Sequence, residues 1–270
     1  MSDLRVVIAG AGGRMGRTLI RAVSEASGFT VVGALDVSNS PNIGQDSGML
    51  AGLPANNIKI TSDAEAALKA AHCLIDFTIP AATVAYAAVT AKTRCVHVIG
   101  TTGLGAIDEK QIADAATETV IVKSGNMSLG VNLLAALTKK VAAALDADFD
   151  IEVLEMHHNQ KIDAPSGTAL LLGRAAAEGR GIDLDAHSQR VRDGHTGARK
   201  RGDIGFATLR GGNVVGDHTV MFVSGSERIE LSHKASDRML FAAGALKAAV
   251  WGRKQKPGLY SMMDVLGLSD

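Results

Sequence analysis

The first 127 residues alternate short apolar segments with amphipathic ones, and this alternation restricts the folds that the chain can adopt. Strands are predicted for six apolar segments, residues 5–9, 29–35, 58–61, 73–77, 95–99 and 120–123. Helices are predicted between most of them, at residues 14–26, 63–71, 81–91 and 108–117. Strands that alternate with helices build a parallel sheet with both faces covered. This half of the chain is therefore predicted to be a doubly wound α/β unit, with residues 38–57 as a long surface loop.

The pattern changes after Met127. A helix is predicted from residue 129 to about 147, followed by the strand DIEVLEMHH at 150–158. Residues 205–231 consist mainly of strand-type segments separated by the turns GGN and SGS. A last helix is predicted at 237–251, followed by a Gly/Pro turn and a short tail. Strands grouped apart from helices indicate an α+β domain. We therefore predict a first domain at 1–128, to which 238–270 returns, and a smaller second domain at 129–237.

Composition argues against several classes of function. Lys and Arg together number 28, as do Asp and Glu, so no global basic field attracts a nucleic acid. No run of 18 apolar residues occurs, and a strand-type segment begins almost at the first residue, which leaves no room for a signal peptide. Cys73 and Cys95 are expected to be buried thiols. We expect a cytoplasmic protein without a nucleic-acid or membrane partner.

The segment GAGGRMGR directly follows the first predicted strand and opens a helix. Its glycines fall as G-x-x-G-x-x-G at Gly10, Gly13 and Gly16, and the second strand ends near Asp36. Backbone without side chains lets a pyrophosphate approach a helix N-terminus, where unpaired N–H groups and the helix dipole favour anions. A carboxylate after the second strand can accept hydrogen bonds from ribose hydroxyls. The pattern predicts a dinucleotide site; the alternative is an ordinary glycine-rich turn with a solvated Asp36.

Two further loops follow predicted strands of the same unit. GTTG begins at Gly100, and SGNMS begins at Ser124. Ligands of doubly wound sheets bind at the C-terminal ends of strands, so these small residues are candidates for the nicotinamide end of the cofactor. Taken singly, each loop is equally compatible with a plain turn between a strand and a helix.

The segment EMHHNQKIDAPSGTALLLG places two histidines and a lysine just before a helix. His157 and His158 end a predicted strand, and imidazole can exchange a proton near neutral pH. Lys161 supplies a cation, and a helix start capped by Asp163 or Ser166 would present the amides of Gly167 and Thr168 to an anion. Surface histidines are the alternative for the pair alone. No Cys or His at ligand spacing completes a zinc site, so no metal is expected.

Four segments together resemble the bacterial dihydrodipicolinate reductase family: GAGGRMGR, GTTG, EMHHNQKIDAPSGTAL and GDIGFATLRGGNVVGDHTVMF. The resemblance extends from residue 5 to about 265, and HH-x-x-K-x-D-A-P-S-G-T is its most specific part. It implies a Rossmann-like dinucleotide-binding domain and an α+β domain that binds substrate and mediates oligomerisation, usually as a homotetramer. It also implies reduction of 4-hydroxy-tetrahydrodipicolinate, a small cyclic dicarboxylate of lysine and diaminopimelate synthesis.

The resemblance assigns roles residue by residue. His157 would be the proton donor, and Lys161 a second acid or anchoring cation. His158, Gly167 and Thr168 would bind a substrate carboxylate. The residues implied for the cofactor are Gly10, Ala11, Gly12, Gly13, Arg14, Met15, Asp36, Gly100, Thr101, Thr102, Ser124, Gly125, Asn126 and Met127.

Cofactor choice depends on the residues after Asp36. The family uses NADH or NADPH, and some relatives place an arginine there for the 2′-phosphate, whereas residues 37–40 here are Val-Ser-Asn-Ser. NADH is therefore the expected preference. That preference should be modest, because Arg14 and Arg17 lie near the phosphate loop.

Two alternative functions remain open. One is another two-domain NAD(P)-dependent dehydrogenase that acts on an amino acid or imine. The other is a non-catalytic NAD(H) sensor, which would need no proton donor at His157.

Overall fold

The computed structural model describes residues 3–269 and separates into two compact units. Within the described residues, the first unit combines 3–128 with 239–269, and the second comprises 129–238. No helix of residues 3–269 is long and apolar enough to cross a membrane.

The first unit is built on a seven-stranded sheet in which every pairing is parallel. Its strands are β1 (Leu4–Ala9), β2 (Phe29–Leu35), β3 (Ile60–Thr61), β4 (Cys73–Asp76), β5 (Val96–Ile99), β6 (Val120–Lys123) and β12 (Gly258–Tyr260). They lie in the order β12-β6-β5-β4-β1-β2-β3. The order runs outward from β1 in both directions, so the chain reverses there, between β1 and β4. Such a reversal is where doubly wound sheets bind their ligands.

Helices connect the strands of this sheet. They are α1 (Arg14–Glu25), α2 (Ser47–Leu50), α3 (Ala64–Leu68), α4 (Pro80–Thr93), α5 (Ala106–Ala115), α9 (Met239–Gly252) and α10 (Met262–Leu266). The central strands are almost continuously buried and rich in Val, Ile and Leu, as expected for a parallel sheet covered on both faces. The predicted doubly wound α/β class is confirmed.

The C-terminal segment differs from the prediction of a turn and a short tail. Residues 258–260 form the edge strand β12, which pairs with β6, and α10 follows it. Three residues that follow Pro257 and begin with Gly258 have too little periodicity to indicate a strand, so pairing with β6 decides this element. The predicted surface loop at 38–57 also contains the short helix α2, whose first turn is capped by Asp46.

The second unit contains a mixed five-stranded sheet. Its elements are α6 (Leu129–Ala144), β7 (Asp150–His157), α7 (Gly167–Arg180), α8 (Leu184–His187), β8 (Ser188–Gln189), β9 (Ile204–Arg210), β10 (Gly216–Val223) and β11 (Arg228–Ala235). The sheet order is β11-β10-β7-β9-β8. β10 pairs antiparallel with β7 and β11, whereas β9 pairs parallel with β7 and β8. Helices α6 and α7 pack against each other and against this sheet, which confirms the predicted α+β arrangement.

Burial alternates along β7 with the period of two that a strand covered on one face requires. Ile151, Val153, Glu155 and His157 are buried, and the residues between them are half-buried. Two titratable side chains thus share the covered face of the sheet with apolar ones. A buried carboxylate without partners would be costly, so the surroundings of Glu155 determine what this face can do.

Candidate active site

The turn between β1 and α1 brings the backbone of the glycine motif close together. Gly10 has a φ of +64°, a conformation that favours glycine. A side chain at Gly16 would clash with the carbonyl O of Gly10, so the helix can approach the turn only without one. Gly13 is the N-cap of α1 and offers no side-chain cap. The first amides of α1 are therefore available in principle to an anion, as a dinucleotide pyrophosphate requires.

Asp36 lies against this turn at the end of β2. A Cβ atom added at Gly12 would lie 2.5 Å from Asp36 Oδ2. The carboxylate accepts hydrogen bonds from the Val37 amide and the Ser40 hydroxyl, both at 2.9 Å. Asp36 is half-buried beside side-chain-free backbone, which is the arrangement that a ribose hydroxyl would need. These residues fit a dinucleotide.

The end of β5 is organised by a buried polar cluster centred on Asp76. Thr101 is 4% exposed; its hydroxyl accepts a hydrogen bond from Thr83 at 2.8 Å and lies 3.4 Å from Asp76 Oδ1. The Thr78 amide and hydroxyl donate to the same carboxylate at 2.9 and 2.6 Å. The loop that starts at Gly100 is thereby held in place by the buried hydrogen bonds of Thr101. Sequence reasoning did not identify Asp76, because it ends an apolar strand and belongs to no motif.

His97 is the buried partner of Asp76. Its Nε2 atom lies 3.3 Å from Asp76 Oδ2, and both side chains are fully buried. Burial alone would raise the pKa of Asp76, but hydrogen bonds and the charge of His97 outweigh burial and hold that pKa below its usual value. The strand ends that carry Thr78 and Thr101 are thus tied together by an ionised carboxylate.

The loop after β6 also has a defined conformation. The Ser124 hydroxyl donates to the Asn126 carbonyl at 2.7 Å, and the Ser128 amide donates to Asn126 Oδ1 at 2.8 Å. Met127 is fully buried, whereas Gly125 is exposed. β4, β5 and β6 are adjacent and parallel, so the predicted cofactor loops at 100–102 and 124–127 lie at one edge of the sheet.

His157 is held by a carboxylate two residues earlier on the same face of β7. Its Nδ1 atom lies 2.6 Å from Glu155 Oε2. The Arg210 guanidinium donates to both carboxylate oxygens of Glu155, at 2.8 and 3.0 Å, and the Ser166 amide donates to Oε1 at 3.0 Å. Glu155 is 1% exposed, so its charge is compensated by these donors.

The two groups shift each other's pKa in opposite senses. Burial lowers the pKa of His157, Glu155 raises it, and the cations Lys161 and Arg210 lower it, with a net result below the usual value. Burial raises the pKa of Glu155, but the hydrogen bonds from Arg210 and His157 outweigh it and the net pKa is lowered. Glu155 is therefore ionised at neutral pH, and His157 can give up its proton readily.

The other ring nitrogen of His157 makes no hydrogen bond to any of residues 3–269. A Cβ atom added at Gly216 would lie 3.0 Å from Nε2, so a side chain there would crowd it, and the His157 side chain keeps 11% of its surface exposed. The His218 ring meets His157 edge to face, with ring centroids 5.1 Å apart. Burial lowers the pKa of His218 to about 4, so this neighbour is neutral at pH 7. Nε2 is thus the nitrogen that can reach a ligand.

The start of α7 follows the sequence prediction of a capped helix. Ser166 is the N-cap, and its hydroxyl accepts from the Ala169 amide at 3.1 Å. The same hydroxyl lies 3.1 Å from His218 Nε2. Which of the two groups donates depends on the tautomer of His218, because a hydroxyl can both donate and accept. Gly167 and Thr168 are the first two residues of α7, where a helix favours anions.

Lys161 and His158 lie in the loop that β7 leads into. Lys161 Nζ lies 2.8 and 2.9 Å from the two carboxylate oxygens of Asp163, and its side chain is 19% exposed. The His158 amide donates to the Val214 carbonyl at 2.8 Å, so backbone pairing continues one residue past β7. Backbone pairing thus reaches His158, the end of the strand predicted at 150–158.

The second unit thus brings together His157, Lys161, Gly167 and Thr168 around the end of β7. Sequence reasoning missed three members of the cluster: Arg210, His218 and the role of Glu155. The period of two along β7 would have placed Glu155 on the face of His157, because the two are i and i+2. Arg210 and His218 come from β9 and β10, and their proximity depends on sheet pairing.

A cleft of about 530 Å³ lies at the opposite edge of the seven-stranded sheet. Its lining includes His72, Val96 and Val120, which stand at the beginnings of β4, β5 and β6. None of the predicted site residues lines this cleft. No group of three or more metal-ligating side chains occurs in the part of the chain that the structure describes.

A doubly wound sheet with a fitted dinucleotide turn, joined in one chain to an acid–base cluster, defines a nicotinamide-dependent oxidoreductase. The family descriptions "Dihydrodipicolinate reductase, N-terminus" and "Dihydrodipicolinate reductase, C-terminus" match residues 4–127 and 130–266. The chain belongs to the dihydrodipicolinate reductase family.

Individual relatives agree with this assignment. The chain is 64% identical over 270 residues to a 4-hydroxy-tetrahydrodipicolinate reductase of Rhodopseudomonas palustris, covering 100% of this chain and 99% of the relative. It is 63% identical over 268 residues to the enzyme of that name from Afipia carboxidovorans, covering 99% and 98%. A dipicolinate-bound dihydrodipicolinate reductase from Paenisporosarcina has the same fold, with a TM-score of 0.75, 23% identity and 97% and 98% coverage.

Proposed function

We propose that this chain reduces 4-hydroxy-tetrahydrodipicolinate to tetrahydrodipicolinate with a reduced nicotinamide dinucleotide, in lysine and diaminopimelate synthesis. The observation that carries this proposal is the buried imidazole of His157, with Nδ1 held 2.6 Å from Glu155 and with 11% of its side chain still exposed. Full-length relatives of 60–64% identity bear the name of this reductase.

His157 is the general acid in this proposal. Loss of the 4-hydroxyl of the substrate as water leaves an unsaturated ring, and a bound nicotinamide would supply hydride to that ring. The electron density that results must be protonated, and Nε2 of His157 is the donor. Burial and the two nearby cations lower the pKa of His157, which makes the imidazolium a stronger acid.

Lys161, His158, Gly167 and Thr168 bind the substrate. A cyclic dicarboxylate carries two anionic groups, which call for a cation and for helix N-terminal amides. Lys161 already holds a carboxylate in the structure, that of Asp163. A substrate carboxylate would replace Asp163, whose side chain is 59% exposed and can turn to solvent.

NADH is the preferred cofactor. The fold supports use of either nicotinamide dinucleotide, and the preference follows from Asp36 beside Gly12. A carboxylate there accepts from the ribose 2′-hydroxyl and repels a 2′-phosphate. Arg17 Nε donates to the Gly12 carbonyl at 3.0 Å, which leaves exposed Arg14 as the nearer candidate to offset that repulsion. The dinucleotide would contact residues 10–15, 36, 100–102 and 124–127.

The helix-free face of the five-stranded sheet supports a homotetramer. Leu154 and Met156 on β7 and Leu209 on β9 lie on the face away from Glu155, and Leu209 is 48% exposed. Met221 faces the same way, since it pairs with Glu152. Apolar side chains on the central strands of this face suit contact with a second copy of the chain. Met221→Arg should yield smaller species in analytical ultracentrifugation, whereas Val191→Arg, at a 73% exposed site, should not.

We also propose a cytoplasmic location. Cys73 and Cys95 are both buried and unpaired, as expected where thiols stay reduced. Fractionation of producing cells would check this directly.

The decisive experiment mixes the protein, NADH and freshly generated cyclic substrate, and follows absorbance at 340 nm. Oxidation of NADH that requires this substrate is the expected result. NADH oxidation with amino acids or imines but not with this substrate would identify another dehydrogenase. NADH binding without any turnover would favour a sensor.

A further inference from the structure

Glu155 has more hydrogen bonds than a structural ion pair requires. Besides Arg210 and the Ser166 amide, Glu155 Oε1 lies 3.3 Å from the Thr208 hydroxyl and Oε2 lies 2.6 Å from His157 Nδ1. The donors come from β9, the start of α7 and β7 itself. These donors fix the plane of the Glu155 carboxylate, and they thereby fix the direction in which Oε2 meets Nδ1 of His157.

We propose that Glu155, oriented by Arg210, is a positioning residue that fixes the tautomer of His157 and thereby makes Nε2 the proton-donating atom. The inference rests on the proposed role of His157 as the acid. Glu155 touches neither substrate nor cofactor in this scheme and acts through the imidazole.

The tautomer follows from the chemistry of the contact. An ionised carboxylate can accept hydrogen bonds but cannot donate them, so Nδ1 must carry a proton in both states of His157. The proton that leaves is then the one on Nε2. After the transfer, His157 remains as the neutral Nδ1–H form and can be reprotonated at Nε2.

Arg210 affects the pKa of His157 in the direction opposite to that of Glu155. Its guanidinium binds both oxygens of Glu155 and also donates to the Asp163 carbonyl at 2.7 Å, which ties the end of β9 to the Lys161 loop. Its positive charge offsets part of the attraction between Glu155 and the imidazolium. Removing Glu155 and removing Arg210 should therefore shift the titration of His157 in opposite directions.

The charged and titratable groups around His157 come from several elements. Glu155 lies on β7, Lys161 in the following loop, Arg210 at the end of β9 and His218 on β10. His218 is neutral above its pKa of about 4, so Glu155, Lys161 and Arg210 supply the charges near pH 7. Among the groups that shift the pKa of His157, Glu155 is the one with a negative charge.

Glu152 provides a matched control on the same strand. It also pairs with two arginines, Arg192 at 2.7 and 2.8 Å and Arg199 at 3.0 Å. It points to the opposite face of β7, because it is three residues from Glu155. Glu152→Gln therefore breaks a comparable ion pair without touching His157.

The experiment compares Glu155→Gln, Arg210→Gln and Glu152→Gln in the full-length protein. The imidazole of His157 is followed by ¹⁵N NMR over pH 4–9, assigned with His157→Gln, and kcat is measured over the same range. In Glu155→Gln we expect a lower His157 pKa, an alkaline limb of the kcat profile moved to lower pH, and kcat reduced by about 10²-fold. In Arg210→Gln the pKa and the limb should move to higher pH, and Glu152→Gln should change neither.

Three results would overturn the proposal. One is an Nε2–H tautomer for neutral His157 in the unmodified protein, which needs no variant to fold. Another is a shift of the same sign in Glu155→Gln and Arg210→Gln. The third is loss of thermal stability alone, with unchanged titration and pH profile. Normal turnover in His157→Gln would instead refute the assignment of the acid, while the NMR tautomer would still decide the role of Glu155.

Discussion

Lys161 Nζ lies within 2.9 Å of both carboxylate oxygens of Asp163, two residues further along the chain. The lysine is largely covered and the aspartate largely exposed, with side-chain exposures of 19% and 59%. The cation is thus built into the loop, and its counterion sits on the solvent side. A ligand carboxylate could take the place of Asp163 without a change in the position of Lys161.

Lys161→Ala should lower kcat/KM through loss of substrate capture and of transition-state charge balance. Losing one charged hydrogen-bonding group would cost roughly 10-fold to 10²-fold or more in this ratio. Steady-state kinetics and NADH titration would measure it, with cofactor binding and melting temperature expected to stay unchanged. Lys200→Ala removes another aspartate-paired lysine, 3.7 Å from Asp203, and is the control. If Lys161→Ala lowers only the melting temperature, Lys161 is structural.

His157→Gln should reduce turnover by roughly two to four orders of magnitude, because a positioned general acid contributes about that much. Its affinity for NADH should stay nearly the same, since His157 lies in the second unit and the glycine turn in the first. His187→Gln is the control. His187 also pairs with a carboxylate, Asp203 at 3.3 Å, just before the start of β9. Near-normal turnover of the His157 variant would refute its role.

The Michaelis constant should be lower for NADH than for NADPH, because Asp36 repels a 2′-phosphate. The difference should be greatest at low ionic strength, where charges are least screened. Replacing Asp36 with Ser together with Val37 with Arg should shift the ratio towards NADPH. The single variant Val37→Arg distinguishes the effect of adding a cation from the effect of removing the Asp36 carboxylate. Equal or tighter NADPH binding by the unmodified protein would show that nearby arginines override Asp36.

Stability should fall with acid partly because of His218. Burial lowers its pKa to about 4 in the folded chain, from a usual value of 6.5, so between these pH values the unfolded chain binds a proton that the folded chain does not. The stabilisation by neutral His218 is present above pH 6.5 and is lost as pH falls from there to about 4. The maximal loss is about 3 kcal/mol. Urea unfolding from pH 4 to 8 should be less pH-dependent in His218→Gln, whereas His195→Gln, at an exposed site, should follow the unmodified protein.

Gly244→Ala should destabilise the first unit, although alanine is the better helix former. A Cβ atom at Gly244 in α9 would overlap the carbonyl O of Met127. Propensity alone would stabilise the helix by about 1 kcal/mol. Differential scanning calorimetry would show whether the melting temperature falls or rises. Ala243→Gly, at the exposed neighbouring site, measures how much the difference in helix propensity between Ala and Gly contributes. A higher melting temperature for Gly244→Ala would mean that α9 and Met127 separate without cost.

Much of the first unit could be predicted because local rules and the fold agree there. The limits of β2 and β6 coincide with the predicted strands, since buried parallel strands are marked by continuous Val, Ile and Leu between turn residues. The roles of Gly10 and Gly16 could also be predicted from the sequence. Glycine is the residue that best tolerates the positive φ of Gly10 and the close approach of Gly16 to the Gly10 carbonyl. β12 was missed, because its strand character comes from pairing with β6.

The proposed proton donor belongs to a motif that sequence reasoning identified, but the residues that contact it come mainly from other strands. His157 and Lys161 stand within one motif, whereas Arg210 is 55 residues from Glu155 and His218 is 52 residues from Ser166. Which residues of β9 and β10 lie next to β7 depends on register, and a shift by one residue turns every side chain to the other face. The sequence by itself determined the fold class and brought His157 and Lys161 together in one motif. Only the tertiary structure decided that Glu155 is ionised, paired with Arg210 and directed at Nδ1 of His157. The physical reason is that strand pairing brings these charged groups into contact, and burial makes their pKa values depend on one another.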